Sequence, residues 1–111
     1  MELSKADRVP FTGSIEYYCW DQRKLAEAQE ISSQGLFLRS NDVLPEGSMV
    51  TLRLRLPASP RAFTVLGRVT HVVLGSETRR RGMGIHFLDI SPSDRDAVAA
   101  YVASRPPLLA A

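Results

Sequence analysis

From Gly13 to Phe87 the chain runs in short segments in which apolar and polar residues alternate, each closed by Gly, Pro, Asn, Asp or Ser. A period of two puts successive side chains on opposite faces of a strand, so the pattern predicts antiparallel sheet with one face on a core and one in water. Val50-Thr51-Leu52-Arg53-Leu54-Arg55-Leu56 shows it most plainly, with leucines against Thr and Arg, and Pro57-Ala58-Ser59-Pro60 ends the segment. A strand is expected over Phe63 to Val73, with Phe63, Val65 and Val69 on one face and Thr64, Arg68 and Thr70 on the other. Leu66 is out of step there, and Gly67 marks a bend. After a turn at Gly75-Ser76-Glu77-Thr78, Met83, Ile85 and Phe87 share one face of a last strand. Further strands are expected at Gly13 to Trp20, Leu25 to Ile31 and Gly35 to Arg39.

The period changes at Ser91-Pro92-Ser93-Asp94, which reads as an N-cap, a first-turn proline and an early acidic residue. Val98, Tyr101 and Val102 then recur at helical spacing, and Arg105-Pro106-Pro107 stops the helix because proline cannot continue it. About three turns are long enough to lay one apolar stripe across a barrel mouth. Several strands and one terminal helix predict a mainly β fold in which the sheet closes on itself, since closure removes the unpaired edges an open sheet would present.

Length and composition narrow the function. A chain of 111 residues with 44% apolar and 23% charged side chains has the make-up of one folded domain. Fourteen basic and twelve acidic residues leave a formal charge of +2, and Arg79-Arg80-Arg81, the tightest basic run, reads as a solvated hairpin tip. Nucleic acid is therefore not an expected partner, and an oligonucleotide-binding barrel is disfavoured. The single Cys19 cannot form an internal disulfide, no Cys/His spacing suggests a metal site, and no segment reads as a signal peptide or membrane span. A cytoplasmic location without membrane insertion is expected. His71 and His86 read as strand-face residues and Cys19 as a small core residue. Tyr17, Tyr18 and Trp20 read as core and rim packing, with a base-stacking surface as the alternative. No nucleophile elbow, P-loop or triad is recognisable, so no catalysis is expected.

One segment carries candidate chemistry. In Glu30-Ile31-Ser32-Ser33-Gln34-Gly35, between two predicted strands, a carboxylate, a hydroxyl and a glycine are spaced to line one turn. Ordinary hairpin chemistry also accounts for it, because Gly35 can supply positive φ and Ser32 can hydrogen-bond its own backbone. The order of features around the turn resembles the PilZ family of bacterial cyclic di-GMP receptors, in a small stand-alone form. Arg8-Val9-Pro10 looks like the end of the family's R-x-x-x-R loop, and Ile31 to Leu38 looks like its D/N-x-S-x-x-G turn with the following strand. Leu44-Pro45-Glu46-Gly47 with Val50 to Leu56 resembles the middle strand, and Gly82 to Ser91 resembles the last strand and helix entry. The resemblance covers roughly residues 4 to 103.

The resemblance implies a six-stranded antiparallel barrel with a C-terminal helix in a single domain over 1–105. It divides into an N-terminal arginine loop at about 1–10, a barrel at about 11–90, a helix at about 91–104, and a tail at 106–111 that carries Leu108 and Leu109. It also implies a ligand site where the arginine loop folds over the turn, lined by Arg8, Glu30, Ser32 and Gly35 with Lys5 assisting. An arginine fork suits both the phosphodiesters and the acceptor edge of guanine in cyclic di-GMP. The chain departs from the motif at Ser4, where the first arginine is expected, at Asp7, which adds a like charge to the phosphates, and at Glu30, which replaces Asp or Asn. Each hydrogen bond to a charged group contributes roughly 1.5 to 3 kcal/mol, so losing one arginine's contacts weakens binding by roughly ten- to a hundred-fold or more. Two readings follow. The chain is a cyclic di-GMP effector, monomeric or weakly dimeric, that signals through an unidentified protein partner, or it is an adaptor that has lost the ligand and works through protein contacts alone. Neither reading calls for a cofactor.

Overall fold

Six strands form in chain order: β1 (Val9–Cys19), β2 (Gln22–Ser32), β3 (Gly35–Arg39), β4 (Met49–Leu54), β5 (Phe63–Val73) and β6 (Gly82–Asp89), followed by helix α1 (Pro92–Ala103). The computed structural model describes residues 8–57, 59, 61–76 and 80–105. All pairings are antiparallel in the order β1-β2-β3-β6-β5-β4, and β4 returns to β1 through Glu16↔Arg53, Tyr17↔Leu52 and Tyr18↔Thr51, which closes the barrel.

The alternation read from the sequence becomes the inside and outside of this barrel. Leu52, Leu54, Leu56, Val65, Val69, Met83, Ile85 and Phe87 are all buried in one core, while Arg53, Arg55, Thr64 and Arg68 face solvent. Phe63 is only half-buried, at the start of β5. Leu66 lies on the outer face, and pairing with β6 slips between Leu66 and Gly67, where the bend was expected. Strand β4 stops at Leu54, although Leu56 stays buried.

The first strand begins earlier than expected, at Val9 rather than Gly13, so the last residues assigned to the N-terminal loop belong to the sheet. Val9 and Phe11 point inward and Pro10 and Thr12 outward, but the register against β2 shifts between Pro10 and Gly13. The alternation continues through the shift, with Val9, Phe11, Ile15 and Tyr17 all buried, so Pro10 and Gly13, residue types that argue against a regular strand, are what hides its true start. The β3–β4 connection relies on Gly47 at φ +91°, where Ser48 N–H donates to the Pro45 carbonyl at 3.1 Å and Gly47 N–H to the Val69 carbonyl at 2.7 Å. Gly82 serves close packing instead, since a Cβ there would lie 2.3 Å from the Leu38 carbonyl oxygen.

Tyr17 crosses from the core to the loop after β3. Its hydroxyl donates to the Asp42 carbonyl at 3.0 Å and lies 3.0 Å from Ser40 Oγ, which accepts the Asp42 N–H. Burial raises its pKa above the ordinary 10.0, with a smaller contribution from Asp42. A raised folded-state value favours the protonated phenol, so its stabilisation is complete below pH 10.0 and is lost as pH rises through the folded-state value. Tyr17→Phe is expected to cost about 0.5–1.5 kcal/mol at neutral pH and to flatten the alkaline decline in stability, read from urea melts between about pH 8 and 11. Part of the slope remains, because the Tyr18 hydroxyl donates to Glu16 at 2.6 Å, which raises Tyr18 and lowers Glu16.

Helix α1 starts as its caps predict, with Ser91 Oγ accepting from Asp94 N–H at 3.3 Å and Pro92 in the first turn. Val98 is buried. The Tyr101 ring meets Phe11 edge-on, with centroids 5.8 Å apart, and its hydroxyl donates to the Pro10 carbonyl at 3.3 Å. The helix thereby pins the start of β1.

Several side chains sit differently from their sequence reading. Tyr17 is core, but Tyr18 is only half-buried, and Trp20, at φ 60° on the β1–β2 hairpin, is 96% exposed and packs into neither core nor rim. Cys19 is half-buried beside it rather than in the core, because the inward alternation ends where the hairpin turns. His71 stacks on Phe37 at 5.9 Å and, as expected, lies on the strand face. Arg80 and Arg81 are exposed, while Arg79, the turn residues Glu77 and Thr78, and the tail with Leu108 and Leu109 lie outside the described residues. Among the described residues, no group of three His, Cys, Asp or Glu could hold a metal ion, and no helix is long and apolar enough to cross a membrane.

Candidate functional site

The pairing of β1 with β2 decides where the candidate residues meet. Val9 is opposite Ile31 and Pro10 opposite Glu30, so Arg8, immediately before β1, comes alongside the end of β2. There its Nη1 donates to Glu30 Oε1 at 2.5 Å, and both side chains are only about a quarter exposed, at 25% and 21%. Arg8 Nε is buried and has no hydrogen-bond partner among the described residues.

Glu30 lies in β2, within the strand expected over Leu25 to Ile31, and Ser32, expected in the turn, also belongs to the strand. The turn itself is Ser33-Gln34, since Ser32 and Gly35 already pair across it. Pairing with β3 slips between Ala28 and Glu30, a bulge that sets Glu30 on the outer face beside Arg8 while Ile31 returns to the core. Ser32 is 1% exposed, and its hydroxyl accepts the Gln34 N–H at 3.1 Å, the self-bonding expected of it. Gly35 is not one of the positive-φ glycines, which among the described residues are Gly47 and Gly75. Its role is to begin β3, opposite His86. Phe87 N–H donates to the Gln34 carbonyl at 2.8 Å, so the turn is also tied to β6.

The structure thus gathers Arg8, Glu30, Ser32 and Gly35 at one corner of the barrel, while Lys5 lies outside the described residues. Two positions outside the expected site lie in register with the turn. Pairing runs from Gly35 to His86 on β6 and on to Arg68 on β5, which places an imidazole and an exposed arginine in the row beside the turn. Only strand order connects these positions, so no local motif could have signalled them. Chemically, the corner offers a guanidinium fork, a carboxylate acceptor and a rigid turn, a set suited to holding an anionic ligand that also has hydrogen-bond donors.

A family model described as the PilZ domain matches residues 2–104. The chain belongs to the PilZ family. PilZ domains are binding and adaptor domains, and the match points to no catalytic class. The barrel is similar to that of the Bacillus subtilis inhibitor of motility MotI/DgrA, at 16% identity and a TM-score of 0.78 over 94% of this chain and 51% of that one. It is also similar to a tetrameric PilZ-domain protein from Xanthomonas campestris that self-assembles through a helical bundle, at 18% identity and a TM-score of 0.54 over 77% of this chain and 47% of that one. An uncharacterized Legionella protein matches at 15% identity and a TM-score of 0.52 over 87% of this chain and 90% of that one. At these identities the likeness is one of fold, and the chain spans about half the length of the first two proteins. No curated protein matches the sequence.

Proposed function

We propose that this PilZ domain is a cyclic di-GMP-binding effector that acts in the cytoplasm through a protein partner. The observation that carries the reading is the meeting of Arg8 with Glu30, Ser32 and Gly35 at one corner, the arrangement that the family resemblance implies for the ligand. Arg8 supplies the fork for a phosphodiester or a guanine edge, and Glu30 an acceptor for guanine donors. Ser32 holds the turn in place through its bond to the Gln34 N–H, and Lys5 is assigned an assisting charge in this reading. No cofactor, metal or nucleic acid enters this reading, and the domain acts as a monomer or weak homodimer. A role in motility control is suggested by the inhibitor of motility whose barrel this one resembles.

One observation favours a second reading, an adaptor without ligand: Arg8 is already paired with Glu30, and the Ser32 hydroxyl is spent on the turn. Isothermal titration calorimetry with cyclic di-GMP, with GTP and cyclic di-AMP as controls, decides between them. Selective binding in the low-micromolar range or tighter is the expected result. No heat at high ligand concentration transfers the case to the adaptor.

A further inference from the structure

We infer that Glu30 is an internal competitor for the ligand, occupying Arg8 until an incoming phosphate displaces it; this rests on the cyclic di-GMP reading above. A carboxylate and a phosphodiester present a guanidinium with the same kind of paired anionic oxygens, so each can take the place of the other on the fork. Glu30 already holds that place at 2.5 Å, with the contact three-quarters shielded from water. Arg8 Nε remains buried without a partner among the described residues, so the present contact leaves part of the donor set unused.

Two consequences weaken the ligand. Arg8 must be drawn from its carboxylate before it can donate fully, so the apparent affinity falls by the fraction of molecules in which it is released. A Glu30 that stays in place sets its charge against the phosphates. Geometry makes Glu30 suited to this role: the bulge before it turns the side chain to the outer face, and Pro10↔Glu30 pairing holds it opposite a position two residues from Arg8. Binding is then an exchange of anions on one arginine, which frees Glu30 to accept from the guanine donors.

Glu30→Gln keeps the size and an acceptor oxygen but removes the charge. Titrated with cyclic di-GMP beside the wild type, it is expected to bind at least about ten-fold more tightly, and the double variant Arg8→Ala, Glu30→Gln is expected to lose that gain. Binding by Glu30→Gln alone, with none by the wild type, supports the competition and defeats the proposal that the unaltered chain is a receptor. A wild type that binds and a Glu30→Gln that binds equally or more weakly overturns the competition and leaves the receptor reading standing, with Glu30 acting on the guanine alone. Absence of binding by both overturns both proposals. Thermal melts check that the variants are folded. NMR of the unaltered chain supplies a readout without substitution: the Glu30 carboxylate carbon and the Arg8 Nε–H resonances are expected to shift together as cyclic di-GMP is added, and a ligand-saturated protein with an unmoved Glu30 resonance overturns the inference.

Discussion

Leu52→Ala is expected to destabilise the PilZ barrel by about 2–5 kcal/mol, the range for removing a buried leucine side chain from a core that cannot fully collapse around the gap. Leu52 is 0% exposed and lies on β4 between Tyr17 of β1 and Val65 of β5, both buried, at the seam where the sheet closes on itself. Its loss therefore weakens both the core and the β1–β4 pairing on which closure depends. For a domain of this size the melting temperature should fall by on the order of 15 °C, measured by calorimetry or circular dichroism. Arg53→Ala, the next residue along but on the solvent face, should change stability by no more than about 0.5 kcal/mol. Equal effects at the two positions would contradict the inward and outward assignment of β4.

Arg8→Ala is expected to lower cyclic di-GMP affinity by at least about a hundred-fold, because two hydrogen bonds from a guanidinium to phosphate or guanine are each worth roughly 1.5–3 kcal/mol. The same substitution should leave the barrel folded. Arg8 precedes β1, and its partner among the described residues, Glu30, is itself partly exposed, so the pair contributes only about 1 kcal/mol to stability. Calorimetric titration and thermal melts on the same sample separate the two effects. A large loss of affinity with a small change in melting temperature places Arg8 at the ligand, and unchanged affinity removes it from the site.

The legibility of the chain differs between its two ends. From Val50 to Leu54 the burial alternates as the sequence does, and in β6 Met83, Ile85 and Phe87 are buried as their spacing predicts, with Gly82 and Gly84 buried between them. Around Val9 to Gly13 and Ala28 to Glu30 the pairing slips, and there β1 starts four residues before the expected Gly13 and Ser32 belongs to β2 rather than to the turn. The slips lie beside the candidate site, where bulges aim side chains at one another at the expense of a regular register. Cys19 and Trp20 were misjudged for a related reason: burial inferred from neighbouring apolar residues fails at a hairpin tip, which has no core beneath it.

By itself the sequence determined which residues of each regular strand face the core, where α1 begins, and which residue types are available to a ligand, because alternation, capping and donor chemistry are properties of a few neighbouring residues. Tertiary structure decided that β4 returns to β1, that His86 and Arg68 line up with Gly35, and that Arg8 meets Glu30 across a separation of 22 residues. Those contacts depend on strand order and register, which follow from burying every inward face in one shared core at the same time, and no local stretch of the chain encodes that condition.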